Sequence, residues 1–157
     1  MIFLDAGGVL VCPDPVRIAA RFAELGVTVD HPELLVAHYR GVHAIDRAQA
    51  APEEVGDYHE AYVDHLGIPG ELRAAAIGVL EGLWERSGLW TEPLPWAQAG
   101  LAALDALGIP IVIVSNADGT VASLLEAAGL LQVGPGPGID VAGIIDSGVV
   151  GVAKPDP

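Results

Sequence analysis

Apolar and polar positions along the chain follow two rhythms. Met1 to Leu4 is wholly apolar and stops at Asp5, just before Gly7-Gly8. Ile109 to Val114 is a second unbroken run and stops at Ser115-Asn116. Ile144-Ile145 is a third, shorter one. Short apolar runs without alternation read as strands buried on both faces, as in a parallel sheet. Elsewhere the spacing is helical. Asp14 reads as an N-cap with Pro15 at the first helical position, and the stripe Ile18, Phe22, Leu25 is stopped by Gly26. A second helix starts at Pro32 with Leu34, Leu35 and His38 on one side. A third starts at Pro52 with Val55, Tyr58, His59 and Tyr62 together and Gly67 past its end. A fourth covers Glu71 to Arg86, with Leu72, Ala76, Val79, Leu80 and Leu83 facing inward. Trp96 to Leu107, closed by Gly108, and the stripe Val121, Leu124, Leu125, Ala128, closed by Gly129, read as two more helices.

The remaining segments punctuate these elements. Pro93 and Pro95 mark a linker out of the helical block. Gly134 to Gly138 alternates Gly and Pro and reads as a loop, and its prolines lack the N–H groups a phosphate cradle needs. Gly148 to Pro157 follows the third strand as a loop. The order is therefore strand, helical insert, helix, strand, helix, strand. That order predicts an α/β protein with right-handed crossovers and a parallel sheet. Such sheets bind ligands outside the carboxyl ends of their strands. Here those ends are Asp5-Ala6-Gly7-Gly8, Ser115-Asn116 and the loop Gly148 to Lys154.

Composition narrows the function. The 157 residues are 52% hydrophobic, which rules out a disordered chain. Seven basic residues face 21 acidic ones, for a net charge of -14. That balance argues against nucleic acid and anionic membranes as partners. One cysteine, Cys12, allows no intrachain disulfide. No basic, apolar leader precedes Asp5 and no run reaches membrane-spanning length, so the sequence reads as a cytoplasmic soluble protein.

Three chemically distinct groups converge on the strand ends: the Asp5 carboxylate, the Ser115 hydroxyl and the ammonium of Lys154, the only lysine. A carboxylate, a hydroxyl and an ammonium around backbone N–H groups can bind and attack a phosphoryl group. The carboxylate would be the nucleophile and the donors would offset charge on the transferred group. Gly7 and Gly8 would let the backbone approach closely with N–H groups pointing inward.

These segments resemble the haloacid dehalogenase-like (HAD) hydrolase superfamily. Asp5-Ala6-Gly7-Gly8-Val9-Leu10 is similar to its first motif, and Ile111-Val112-Ile113-Val114-Ser115-Asn116 to its second. Gly151-Val152-Ala153-Lys154-Pro155-Asp156-Pro157 is similar to its third. The resemblance implies a Rossmannoid parallel-sheet core over 1–12 and 93–157 and an inserted α-helical cap over 13–92. It implies Asp5 as nucleophile, forming an aspartyl-phosphate, and Lys154 as the catalytic cation. It implies Gly7, Gly8, Ser115, Asn116 and Lys154 around the phosphate of a small phosphorylated substrate. Mg²⁺ would be held by Asp5 and the Gly7 carbonyl. Two departures stand out. The family's phosphatases carry a second Asp, the general acid/base, where this chain has Gly7. The family also continues past the lysine motif to further strands and an acidic metal-binding motif, whereas this sequence stops at Pro157, so it looks C-terminally truncated. With those strands missing, the first strand would become an exposed edge that favours a homodimer.

The resemblance leaves three functions in view. A Mg²⁺-dependent phosphatase of a small metabolite leads. A non-catalytic HAD-like binding module is the second. A haloacid dehalogenase is the third, although the family's dehalogenases place an aromatic residue where Gly7 stands. Phosphonate hydrolysis, which in this family needs a cap lysine, is excluded because Lys154 stands alone. Other residues read more simply. Cys12 is a small buried or linker residue. The histidines at 31, 38, 43, 59 and 65 lack metal-ligand spacing and read as core or helix-surface residues, one of them open to facing the substrate. Glu53, Glu54, Asp57, Glu60 and Asp64 form a solvated helix face. Trp84, Trp90 and Trp96 read as packing, with any of them able to line the cleft.

Overall fold

The computed structural model describes residues 1–48, 55–85 and 88–156. The expected helix start at Pro52, the acidic residues Glu53 and Glu54, the helix end at Arg86 and the final Pro157 lie outside them. The chain divides into two compact units, Met1–Cys12 with Trp90–Pro157, and Pro13–Leu89.

The first unit is α/β. Strands β1 (Ile2–Leu4), β4 (Ile111–Ser115) and β7 (Gly143–Asp146) form a parallel sheet in the order β1-β4-β7. The register pairs Ile2 with Ile111, and Ser115 with Asp146. β4 is the central strand, and Ile111, Val112 and Ile113 are buried in it. Helices α5 (Ala97–Ala106) and α6 (Val121–Ala127) flank β4 in sequence and bury Ala97, Leu101, Val121 and Leu125. Gly108 and Gly129, both at positive φ, end these helices as expected. No helix among the described residues is long and apolar enough to cross a membrane.

Three expectations are corrected here, and a fourth, the Gly134–Gly138 loop, holds. The Met1–Leu4 strand is not buried on both faces: Phe3 is 63% exposed, because among the described residues β1 has β4 as its only neighbour. The Pro93 region is not plain linker. Strand β3 (Glu92–Pro93) pairs antiparallel with β2 (Val11–Cys12), and two-residue strands are too short to show any periodicity. The residues after β7 are not all loop, since Ser147–Val150 forms a short helix, α7, ended by Gly151 at φ 76°. The Gly134–Gly138 loop is ordered by its surroundings. It joins two short parallel strands, β5 (Leu131–Gln132) and β6 (Ile139–Asp140), and folds around the buried Gln132. The Gln132 side chain accepts from the Gly138 N–H and donates to the Gly134 and Gly138 carbonyls.

The second unit is helical: α1 (Pro15–Ala23), α2 (His31–Ala48), α3 (Val55–His65) and α4 (Gly70–Trp84). The Asp14 carboxylate caps α1 by accepting from the Val16 and Arg17 N–H groups. Gly41 lets α2 and α3 approach closely, since a Cβ there would lie 2.5 Å from the Tyr58 ring. Tyr58, His59 and Tyr62 are buried as the stripe predicts, and Tyr58 and His59 both pack on the Trp84 ring. His38 is buried beside them, with its Nδ1 2.6 Å from the Tyr58 hydroxyl. Burial pulls its pKa down to about 4. Burial also lowers that of His59, partly countered by the charge of Glu81. Both histidines are therefore neutral core residues at pH 7.

Candidate active site

The site is built on the carboxyl ends of β1 and β4. Asp5 directly follows β1 and remains about half exposed, its Oδ1 accepting from the Ala6 N–H at 2.8 Å. Asp5 is held at the mouth of a tight turn. The Ala6 carbonyl accepts from the Leu10 and Val11 N–H groups, and the Gly8 N–H donates to the Val11 carbonyl at 2.8 Å. Gly8 sits at φ 72°, a left-handed conformation that glycine adopts without strain. This arrangement corrects one expectation. The Gly8 N–H closes the turn on Val11 instead of pointing at a ligand, because the chain must reverse here to enter β2.

Lys154 meets Asp5 directly, with Nζ 2.8 Å from Asp5 Oδ2 and 2.9 Å from the Val114 carbonyl. Its backbone is fixed independently of its side chain. The Asn116 side chain accepts from the Lys154 N–H at 2.7 Å and donates to the Lys154 carbonyl at 3.1 Å. Asn116 therefore anchors the lysine segment to the end of β4, a role beyond the backbone donor expected of it. Ser115, the last residue of β4, is buried beside Asp146 in the sheet register. The structure thus brings Asp5 and Lys154 into contact, ties Lys154 to Asn116, and sets Ser115 next to Asn116.

Gly7 has a neighbour the sequence did not reveal. A Cβ placed on it would lie 3.2 and 3.4 Å from ring carbons of Trp90, so the indole packs against the bare Gly7 backbone. Spacing alone does not rank Trp84, Trp90 and Trp96. Asp146 is a second missed residue. It is buried, and its carboxylate accepts from the Gly119, Gly148 and Val121 N–H groups. The adjacent Ser147 hydroxyl both accepts from Ala117 N–H and donates to Ala117 carbonyl. Together they fix the loop that follows Ser115-Asn116. An Asp-Ser-Gly run directly after an apolar strand is the capping signal that could have pointed to them.

Of the oxygens expected to hold Mg²⁺, the Asp5 carboxylate is engaged by the Ala6 N–H and by Lys154. The turn's hydrogen bonds run through the Ala6 and Val11 carbonyls and leave that of Gly7 out. Among the described residues no group of three or more His, Cys, Asp or Glu could hold a metal.

No protein-family model matches the chain, and no curated protein matches it. Among solved structures, the chain is similar to dehalogenases. One is a dehalogenase with an intermediate complex, at 18% identity and a TM-score of 0.43, covering 98% of this chain and 65% of that one. Another is a dehalogenase at 18% identity and a TM-score of 0.41, with the same coverage. A third is an L-2-haloacid dehalogenase at 20% identity and a TM-score of 0.40, covering 98% of this chain and 66% of that one. The chain thus spans about 65% of the length of the solved structures it matches.

Proposed function

We propose that the chain is an HAD-like hydrolase that cleaves a small phosphorylated metabolite through an aspartyl-phosphate on Asp5. The observation that carries this reading is the 2.8 Å contact between Asp5 and Lys154, on backbone anchored by Asn116. An Asp5 oxygen bonds to phosphorus as the bond from phosphorus to the metabolite's oxygen breaks. The electron pair leaves with that oxygen, which takes a proton from solvent, while the ammonium of Lys154 offsets the charge that gathers on the carboxylate and the phosphoryl oxygens. The Ser115 hydroxyl and the Asn116 N–H hold phosphoryl oxygens. Mg²⁺, when bound by Asp5 and the Gly7 carbonyl, supplies further positive charge at the transferred group. Water then releases phosphate and restores Asp5. Hydrolysis of an aryl phosphate with Mg²⁺, abolished in Asp5→Asn, supports this reading. Turnover that persists in Asp5→Asn contradicts it.

One observation favours a second reading, a non-catalytic module that keeps the anion site. The residue two after Asp5 is glycine, packed under Trp90, and it can transfer no proton. Phosphate binding with no turnover of any phosphoryl compound distinguishes this alternative.

A further inference from the structure

We infer that Asp146 is a positioning residue for the ammonium of Lys154, acting through the loop that carries Asn116. Its catalytic consequence rests on Asp5 and Lys154 being the reacting pair.

Lys154 does not place its own charge. The ammonium ends a flexible four-carbon stem, and the side chain is 38% exposed, so packing alone does not fix it. Two acceptors meet it, Asp5 Oδ2 at 2.8 Å and the Val114 carbonyl at 2.9 Å. Both are in reach only while the Lys154 backbone keeps its place. The Asn116 side chain holds that backbone at its N–H and at its carbonyl. Asn116 is itself exposed, on the loop after β4, and such a loop needs a restraint of its own.

The end of β7 supplies the restraint. The buried Asp146 carboxylate gathers three segments. Its Oδ1 accepts from the Gly119 N–H at 3.0 Å and the Gly148 N–H at 2.9 Å, and its Oδ2 from the Val121 N–H at 3.2 Å. Gly119 belongs to the Asn116 loop, and Val121 opens α6. Gly148 lies in α7, on the segment that runs on to Lys154. One carboxylate therefore ties the loop that holds the lysine to the segment that contains it. Hydrogen bonds to an ionised carboxylate are shorter and stronger than neutral ones, which suits a clamp. The Ser147 hydroxyl adds a tie to Ala117, the residue after Asn116. Without Asp146 the Gly119 and Val121 N–H groups lose their acceptor, and the two segments loosen. Asn116 then no longer meets the Lys154 backbone in a fixed place, and the ammonium drifts from Asp5.

Lys154 is the only lysine, so a chain grown on ¹³C-labelled lysine gives one ε-carbon signal in an NMR spectrum. In the native chain that signal should shift on Asp5→Asn, because the ammonium sits on the carboxylate. The response should shrink in Asp146→Ala. It should shrink less in Asp146→Asn, which keeps one acceptor oxygen and the side-chain volume. Asn116→Ala should shrink it too, and Asp146→Ala added to Asn116→Ala should change little further. With an aryl phosphate and Mg²⁺, kcat should fall by about 10²-fold in Asp146→Ala, the loss expected when a reacting group is misplaced by about 1 Å. A response as large as the native one, in whichever Asp146 variant folds, would overturn the inference. So would a native signal that ignores Asp5→Asn. The expected signals in a chain that turns over no phosphoryl compound would leave the inference standing and overturn the proposed function alone.

Discussion

At the scale of single residues, Lys154 lets the proposed catalytic role be tested apart from folding. Its side chain is about 38% exposed and its ion pair with Asp5 is open to water. Such pairs contribute about 0–1 kcal/mol to stability. The anchoring to Asn116 uses only Lys154 backbone atoms, so it survives a change of side chain. Lys154→Met should therefore leave the melting temperature nearly unchanged while lowering kcat by about 10²- to 10³-fold, the usual size of a lost transition-state donor. Equal losses in melting temperature and activity would mark the lysine as structural. Gly7 behaves differently, because of Trp90. Gly7→Asp alone crowds the indole and should cost about 1–3 kcal/mol. Combined with Trp90→Ala, the new carboxylate has room, and propyl phosphate turnover should rise by about 10-fold or more as a proton donor is restored. Steady-state rates with propyl phosphate for the single and double variants check this.

At the scale of elements, the loop after β4 is held by the end of β7, and a close backbone approach makes that possible. A Cβ on Gly148 would lie 2.5 Å from the Asp118 carbonyl carbon and 2.6 Å from the Gly119 nitrogen, neither of which can swing aside. Gly148→Ala should push α7 off the loop that carries Ser115-Asn116, costing about 1–3 kcal/mol in denaturant unfolding and reducing phosphate affinity. In the helical unit, His38 ties stability to pH. Its folded pKa of about 4 lies below the unfolded value of 6.5, so the unfolded chain binds the extra proton first. The contribution is fully present above pH 6.5 and is lost as pH falls towards 4, by about 3 kcal/mol in all. Melting temperatures from pH 7 to 5 should fall more steeply for the native chain than for His38→Phe, and parallel slopes would refute the assignment. The elements themselves were largely legible. The Asp14-Pro15 cap, the stripe Ile18, Phe22 and the β4 run are local patterns, and local chemistry determines them. Trp90 over Gly7, Asp146 on the β4 loop and Gln132 inside the Gly-Pro loop escaped notice. Each depends on partners brought together by the fold, and neither spacing nor propensity encodes such a meeting. The β2–β3 pair escaped because two residues carry no rhythm.

At the scale of the whole molecule, charge is distributed unevenly between the units. All six arginines lie in the helical unit, and Lys154 is the one Lys or Arg in the unit that holds Asp5. In a chain of net charge -14, Lys154 is the cation that the structure places against Asp5. The parallel sheet supplies the geometry: β1 delivers Asp5, and β4 delivers Ser115 and, through Asn116, the lysine. The order of strands and insert was readable from the sequence. The meeting of Asp5 with Lys154 was an expectation that the fold turns into a 2.8 Å contact. The central claim is that Asp5 becomes phosphorylated during turnover. Acid quenching during acetyl phosphate hydrolysis, followed by tryptic peptide mass mapping, tests it most directly. The account predicts one added phosphoryl group on the peptide Met1 to Arg17, localised to Asp5 and absent in Asp5→Asn. Steady turnover with that peptide unmodified, or with the phosphoryl group on another residue, would contradict it.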